Sequence, residues 1–413
     1  SNHKALLARG VVPIFFELTR KDPYGLSPAP FYLEEIPDEG YETLESLLSN
    51  LDLSFVERLV ASCYHQDGPG KPPRNPLGLF KAHLARRYLG MNSLRDLERR
   101  LWNDERLRAI CGIEREEPAY GRTVLSRFNQ RLGARRLRRI VDKQVKKLLK
   151  KRYVNPKVIA MDATFIKAYS RRNMNNRTGF SDPQARAGRA YRTYGLGYKL
   201  HLTVDADTAT PLAFRGPANT NEKKLSIPLL AMTVKTTGTT IRKLTADSQY
   251  SSNKLRETAQ NYRIQTAIPY PANQKQQRQN ILRVTTNFKT HGPENLKRTY
   301  SKRSIIELVF ASLKEHLNLN NHETKGLENI TIHISYCILC LLYTIEASHN
   351  TQQPTKTRSI THWTNQHENA NNGTTPRAIR FGLRLGKGHG PVNPLASLYG
   401  EAERCWVIEN VSE

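Results

Sequence analysis

Four side chains in the last third of this chain have the types and spacing to handle phosphates. They are Tyr300, Arg303, Glu307 and Lys314, within the stretch YSKRSIIELVFASLK. On an α-helix, at about 100° per residue, the four fall within about 60° of one another. Ile305, Ile306, Val309, Phe310 and Leu313 take the other side. One helix therefore presents an apolar face for a core and, opposite it, a carboxylate flanked by a phenol, a guanidinium and an ammonium. A lone carboxylate among donors suits a divalent metal with phosphates beside it. The plain alternative is a solvated amphipathic helix, and the fixed spacing of the four argues against it.

Two further carboxylates stand out by position. Asp162 closes the apolar run VIAMD and Asp247 closes IRKLTAD, so each is expected at the end of a strand. Sites in open α/β sheets assemble at the carboxyl ends of strands, which would bring both Asp residues to Glu307. Three carboxylates are hard oxygen ligands, suited to Mg²⁺ or Mn²⁺ and poor for zinc. Two such ions about 4 Å apart activate a water or sugar hydroxyl and stabilise the leaving oxygen of a phosphodiester. That chemistry needs no Ser or Cys nucleophile and no His base. His201 is expected to be structural, and Asp205 and Asp207 to form a turn rather than to bind a metal.

The elements that must position these acids can be read along the chain. Leu44, Leu47, Leu48, Leu53, Val56, Leu59 and Val60 recur at helical spacing, a helix follows over Leu77 to Leu89, and Ser93 with Asp96 forms a capping box for another. An all-helical domain is expected over 1–152. Its last part, Arg122 to Arg152, holds thirteen Lys or Arg against one acid, Asp142, with an apolar stripe behind them. That bias predicts contact with a DNA backbone. From Val158 the pattern alternates strands with helices: strands at Tyr198–Val204, Pro211–Phe214, Ile241–Asp247 and Arg263–Ile268, and helices at Leu225–Met232 and from Ser252. This predicts an α/β layer over 153–350. Ser170 to Gly197 reads as a polar, basic insert and Gln274 to Asn295 as a loop. Leu327 to Ala347 reads as a long buried helix, since His333, Ser335, Tyr336 and Thr344 interrupt its apolar run. Residues 351–413 read as a polar linker and tail.

Composition narrows the partners. Lys plus Arg number 64 and Asp plus Glu 37, a formal charge of +27, which marks a polyanion as partner, nucleic acid before acidic lipid. The five cysteines are odd in number and scattered, against a disulfide framework, and Cys337 and Cys340 are expected to pack in the core. Gly382-Leu-Arg-Leu-Gly-Lys-Gly lacks the spacing and the Ser or Thr of a phosphate loop, so no nucleotide cofactor is expected. No charged segment leads into an apolar one at the start, so no signal peptide is expected. The reading is a cytoplasmic, nucleoid-associated protein with no membrane contact.

These residues resemble prokaryotic insertion-sequence transposases of the DDE superfamily, in the branch marked by Y-(2)-R-(3)-E-(6)-K. Tyr300, Arg303, Glu307 and Lys314 match all four positions; Asp162 in AMDATFIKA and Asp247 in TADSQYSSNKLRE match the two acidic strands. GYKLHLTVDADTATPLAF with GPANTNEKK resembles the segment between them, and NPLGLFKAHLARRYLGMNSLRDLERRLWND resembles the family's helical N-terminal domain. Ser304 departs from the aromatic residue that often follows the Arg, and the 60 residues from Asp247 to Glu307 leave no room for a large β insertion. The resemblance implies a ribonuclease-H-like core, a mixed sheet flanked by helices, in which Asp162, Asp247 and Glu307 hold two metal ions. It implies cleavage at the ends of a DNA element and joining of the 3′-hydroxyls to target DNA, with two ends paired by at least a homodimer. Tyr300, Arg303 and Lys314 would then contact phosphates near the scissile bond. Arg171, Arg172, Arg189, Arg192 and Lys199, interleaved with tyrosines, would extend that contact. The competing readings are a DNA-binding regulator derived from a transposase, and a structure-specific nuclease that cuts without joining.

Overall fold

Side-chain caps at Asn75, Ser93 and Asp104 open three of the early helices. In a computed structural model, which describes residues 42–64, 73–175, 178–190, 193–216, 222–270 and 294–364, α1 spans Glu42–Ser49 and α2 spans Ser54–Ala61. α3 spans Pro76–Tyr88; Pro76 opens it and the Asn75 side chain accepts from Gly78 N at 2.9 Å. α4, Leu94–Asn103, carries the expected capping box between Ser93 and Asp96, and Asp104 caps α5, Glu105–Ile110.

The basic segment becomes α6, Arg122–Lys150, but not as one continuous helix. Gly133, at φ 67° and ψ 161°, breaks it. The helix restarts because Glu328 Oε1, from the distant α11 (Leu327–Asn350), accepts Ala134 N at 2.7 Å. A carboxylate far away in sequence thus caps the second half of the basic helix.

The sheet is built around β1, Val158–Lys167. β2, Arg186–Ala190, and β4, Pro211–Arg215, pair with the two halves of β3, Thr193–Asp205, which runs antiparallel to β1. On the other side β5, Lys243–Ala246, runs parallel to β1, and β6, Gln265–Ala267, parallel to β5. The order β2-β3-β1-β5-β6, with β4 on β3, is a mixed sheet. α7, Glu222–Thr237, and α8, Asn253–Asn261, lie between its strands in sequence, and α9, Glu294–Ser301, and α10, Ile305–Glu315, follow it. The arrangement is a ribonuclease-H-like core with a helical N-terminal part. α11 threads between the two; from Ile330 to Ser348 all of it is buried. It is long and apolar enough to cross a membrane but lies wholly inside the fold. Cys337 and Cys340 are buried on it, as expected, with thiols directed at the Leu317 and Leu84 carbonyls.

Four sequence expectations change. β1 does not end on Asp162; antiparallel pairing with β3 carries it five residues further. The basic insert carries secondary structure: Arg172 bridges Phe180, and its end forms the β2–β3 hairpin. Its glycines serve Phe165, whose ring lies against Gly188 and Gly197. A Cβ on Gly197 would come within 2.1 Å of the Ile166 carbonyl oxygen. Gly197→Ala should therefore lower stability by about 2 kcal/mol or more, measurable as a drop in the urea midpoint at unchanged slope. The linker beyond Thr351 also folds at first, into α12, Ile360–Thr364, because Ile360 and Trp363 have core to cover. Finally, the helix expected through Tyr300 to Lys314 contains a 3-10 turn at Lys302–Ser304 between α9 and α10. Ser301 and Ser304 hydroxyls donate back to the Arg298 and Ser301 carbonyls and tighten it. Right-handed dihedrals persist through the turn, so the polar face survives. The tail from residue 365 and the glycine-rich 382–388 lie outside the described residues, as do 1–41 and most of the loop at 274–295.

Candidate active site

Strand register brings the two Asp together. Met161 of β1 is paired in parallel with Ala246 of β5, so Asp162 and Asp247 are the next residues on adjacent strands. Asp162 Oδ1 accepts Ala163 N at 2.8 Å; Asp247 caps a 3-10 turn at Ser248–Tyr250, its Oδ1 accepting Ser248 N at 2.7 Å. Helix phase brings the third acid. On α10, Ile306, Val309, Phe310 and Leu313 are buried and turn Glu307 outward.

One guanidinium joins strand to helix. Arg303 donates from Nη1 to Asp162 Oδ2 and from Nη2 to Glu307 Oε1, each at 2.9 Å. The Asp162 side chain is 22 % exposed and Glu307 60 %, so the site is open on the helix side and closed on the strand side. Burial pushes the Asp162 carboxyl up to about 6; Ala163 N–H and Arg303 oppose this, while Asp247 and Glu307 add to it. Arg303 loses hydration by its own burial, yet Asp162, Tyr300, Glu307 and Asp247 hold its pKa above the usual value. Its charge is secure. The three acids thus act on one another across 145 residues of sequence, from Asp162 to Glu307.

The other expected residues divide. Tyr300 lies under Arg303, the guanidinium carbon 5.9 Å from its ring centre. Lys314 stands about two helical turns beyond Glu307; burial lowers its pKa, and the neighbouring Lys167 lowers it further. Lys199 is engaged in an ion pair with Glu222. Arg171 and Arg172 are exposed. The Arg189 side chain and all of Arg192 lie outside the described residues. His201 is buried and structural, its Nδ1 3.1 Å from the Tyr250 hydroxyl. Asp205 makes a turn as expected, accepting the Thr208 hydroxyl at 2.6 Å, and Asp207 pairs with Lys302.

Tyr250 was missed in the sequence. It is buried beside the acids, and burial first, then the charges of Asp162, Glu222 and Asp247, raises its pKa well above the usual value. The signal available was its place three residues after Asp247 in TADSQY.

Among the described residues no three His, Cys, Asp or Glu side chains are close enough to close around a metal ion. The reason is visible: the Arg303 guanidinium takes the place between Asp162 and Glu307 that a cation would take. The donor set nevertheless fits a hard divalent ion. All three groups are carboxylates, and two of them already share one cation.

Two protein-family models match parts of the chain. Residues 155–343 match the family model "Transposase DDE domain" and residues 32–131 match "Transposase domain (DUF772)". No curated protein matches. Among solved structures, the piggyBac transposase synaptic complex with hairpin DNA shares 11% identity over 82% of each chain, at a TM-score of 0.38. The Mos1 strand transfer complex shares 11% over 72% of this chain and 80% of its own, at 0.27. The Mos1 mariner paired end complex with Mn shares 11% over 75% and 87%, at 0.28. Overlaps this loose transfer nothing to the present chain.

Proposed function

We propose that the protein is a transposase of the DDE type, a reading supported by the transposase DDE domain matched over residues 155–343 and the second transposase domain matched over residues 32–131. The protein binds the inverted-repeat ends of a prokaryotic insertion sequence, cleaves the DNA there and joins the 3′-hydroxyl ends to target DNA. The observation that carries the reading is the Arg303 bridge at 2.9 Å to both Asp162 and Glu307, with Asp247 on the adjacent strand.

Asp162, Asp247 and Glu307 would hold Mg²⁺ or Mn²⁺, two ions in the reading adopted here, which supply Lewis acidity and an activated hydroxyl or water. The chain's own groups do the rest. Asp162, stiffened by the Ala163 N–H and by the sheet, is the rigid member of the set. Glu307, exposed on its helix, is the adjustable one. Arg303 keeps the two acids from repelling one another before DNA arrives, then turns to a phosphate. Tyr300 and Lys314 border the same face, and the cations of α6 run along the DNA backbone. Arg171, Arg172, Arg189 and Arg192 extend that contact. Two copies pair the two ends, and the protein works in the cytoplasm on the nucleoid.

The test uses the full chain, DNA bearing the flanking repeats, and Mg²⁺ or Mn²⁺, comparing wild type with Glu307→Gln. The expected result is cleaved and joined product from wild type, none from Glu307→Gln, and end-binding by both. Hydrolysed ends without joints would replace this reading by a nuclease. Binding without chemistry in either protein would replace it by a regulator.

A further inference from the structure

A second charged site lies away from the acids. A cavity of about 610 Å³ opens between the helical part and the segment leading into α11. Arg86 and Arg87 of α3, Arg95 of α4, Arg122 of α6, and Lys325 line it, against one acid, Glu323. Asp162, Asp247 and Glu307 are not part of it.

Arg87 is the informative residue. It is 3 % exposed, and its Nε and Nη1 are buried with no hydrogen-bond partner. A guanidinium cannot shed its charge, and two unanswered donors cost several kcal/mol in a protein interior. Its neighbour Arg86, equally buried, donates from Nη2 to the Asn92 carbonyl at 3.0 Å. Neither arginine has a carboxylate within ion-pairing distance among the described residues. The thiols packed nearby give no counter-charge: burial pushes Cys337 up to about 11 and Cys340 well above its usual value, so both stay neutral. Among the described residues nothing answers this cation.

We propose that the cavity is a phosphate-ester site, the phosphate seated against the Arg87 guanidinium and surrounded by Arg86, Arg95, Arg122 and Lys325. Cations converging from three helices and a loop match a group with charge on several oxygens better than a planar carboxylate. The volume is in the range of small-ligand pockets and exceeds what a bare phosphate fills, which leaves room for a nucleoside. His333 also lines the cavity, its ring fixed by Nε2 donating to the Leu319 carbonyl at 3.1 Å. The phosphate is either a backbone phosphate of the bound DNA or that of a free nucleotide. The first source rests on the transposase reading; the second does not.

The experiment titrates the full chain with inorganic phosphate and with dAMP, without metal, by calorimetry and thermal melting. Wild type should bind dAMP with a Kd below about 1 mM and melt several degrees higher with it. Arg87→Met should weaken dAMP at least tenfold, and without ligand should melt no lower than wild type, since it removes an unpaired buried charge. Arg122→Gln, on the exposed rim, should weaken dAMP a few-fold without disturbing the core. Wild type that ignores both probes at about 10 mM, or an Arg87→Met protein that binds dAMP as wild type does, would overturn the site. End-DNA titrations of the same proteins assign the source. A salt slope lower by about one in Arg87→Met marks a backbone phosphate, and unchanged DNA binding alongside lost dAMP binding in the same variant marks a free nucleotide. Binding is read without cleavage, so a protein that fails to cut DNA can still bind dAMP. One that cuts DNA yet ignores phosphate and dAMP defeats only this site.

Discussion

Asp162→Asn should reduce DNA cleavage and joining by about 10³-fold or more and, in the same protein, raise the melting temperature in EDTA. The activity loss follows from removing a carboxylate from the set proposed to hold the metals, where several kcal/mol of transition-state stabilisation are at stake. The stability gain follows from burial. A carboxyl pushed up to about 6 makes its ionised form cost about 3 kcal/mol at neutral pH relative to the unfolded chain. Asparagine removes that cost. It also loses something: Asp162 accepts from Ala163 N on one oxygen and from Arg303 on the other, and an amide has only one oxygen. One lost hydrogen bond, about 1 kcal/mol, leaves a net gain of about 1–2 kcal/mol, or a few degrees. Calorimetry and a strand-transfer assay on the same preparation measure both. A mutant that melts lower would show that Asp162 is not strained, and one that still joins DNA that it is not functional.

Acidification should unfold the protein between about pH 6 and pH 4, well before its carboxylates are exhausted. Three histidines are buried and neutral: burial lowers His83 to about 3 and His322 to about 4, and lowers His333 well below its usual 6.5. Arg86 and Arg87 push all three further in the same direction. On its own element and its neighbours, His83 is held between the Phe128 and Tyr336 rings, with ring centres 5.8 Å and 5.2 Å away, and no acid faces it there. The folded pKa of each lies below the unfolded value. Each therefore contributes stability that is full above pH 6.5 and is lost as pH falls, because the unfolded chain takes up a proton that the fold refuses. Asp162 works in the opposite sense in metal-free protein, since the fold binds its proton from about pH 6 downward. Three protons less the one on Asp162 leaves two, a slope of at most about 3 kcal/mol per pH unit. Asp142 and Asp205, whose carboxyls burial also raises, work in the same sense as Asp162 and lower it. Across the two pH units from 6 to 4 that slope removes up to about 5–6 kcal/mol, the whole stability of a domain at the low end of the ordinary 5–15 kcal/mol. Urea midpoints between pH 7 and pH 4.5 measure the slope. A flat profile would mean that these histidines are protonated in the fold.

The helices and strands were legible in the sequence wherever their cause is local. Ser93 and Asp96 announce α4 because a capping box needs only four residues. Ile306, Val309, Phe310 and Leu313 announce the buried face of α10, and Glu307 its polar face, because helical phase is set by backbone geometry. Asp162 and Asp247 are legible as acids beside apolar strands. The net charge and the four-residue signature pointed to DNA and to phosphates, since type and spacing are properties of the chain itself.

Only the tertiary structure decided which charges meet. That Arg303 stands between Asp162 and Glu307 depends on how α10 is laid against β1, which no local pattern states. Lys199, counted among the DNA contacts from its position among tyrosines, is taken by Glu222 because α7 packs beside β3. Gly133 breaks a helix that periodicity drew as continuous, and the break holds because Glu328 arrives from α11 to cap it. Arg87 reads in sequence as one more basic residue on a helix, yet two of its buried nitrogens have no partner among the described residues, beside the cavity. Local backbone preference sets the elements; the pairing and burial of side chains are set by which distant elements come into contact, and the chemistry of this protein rests on that second level.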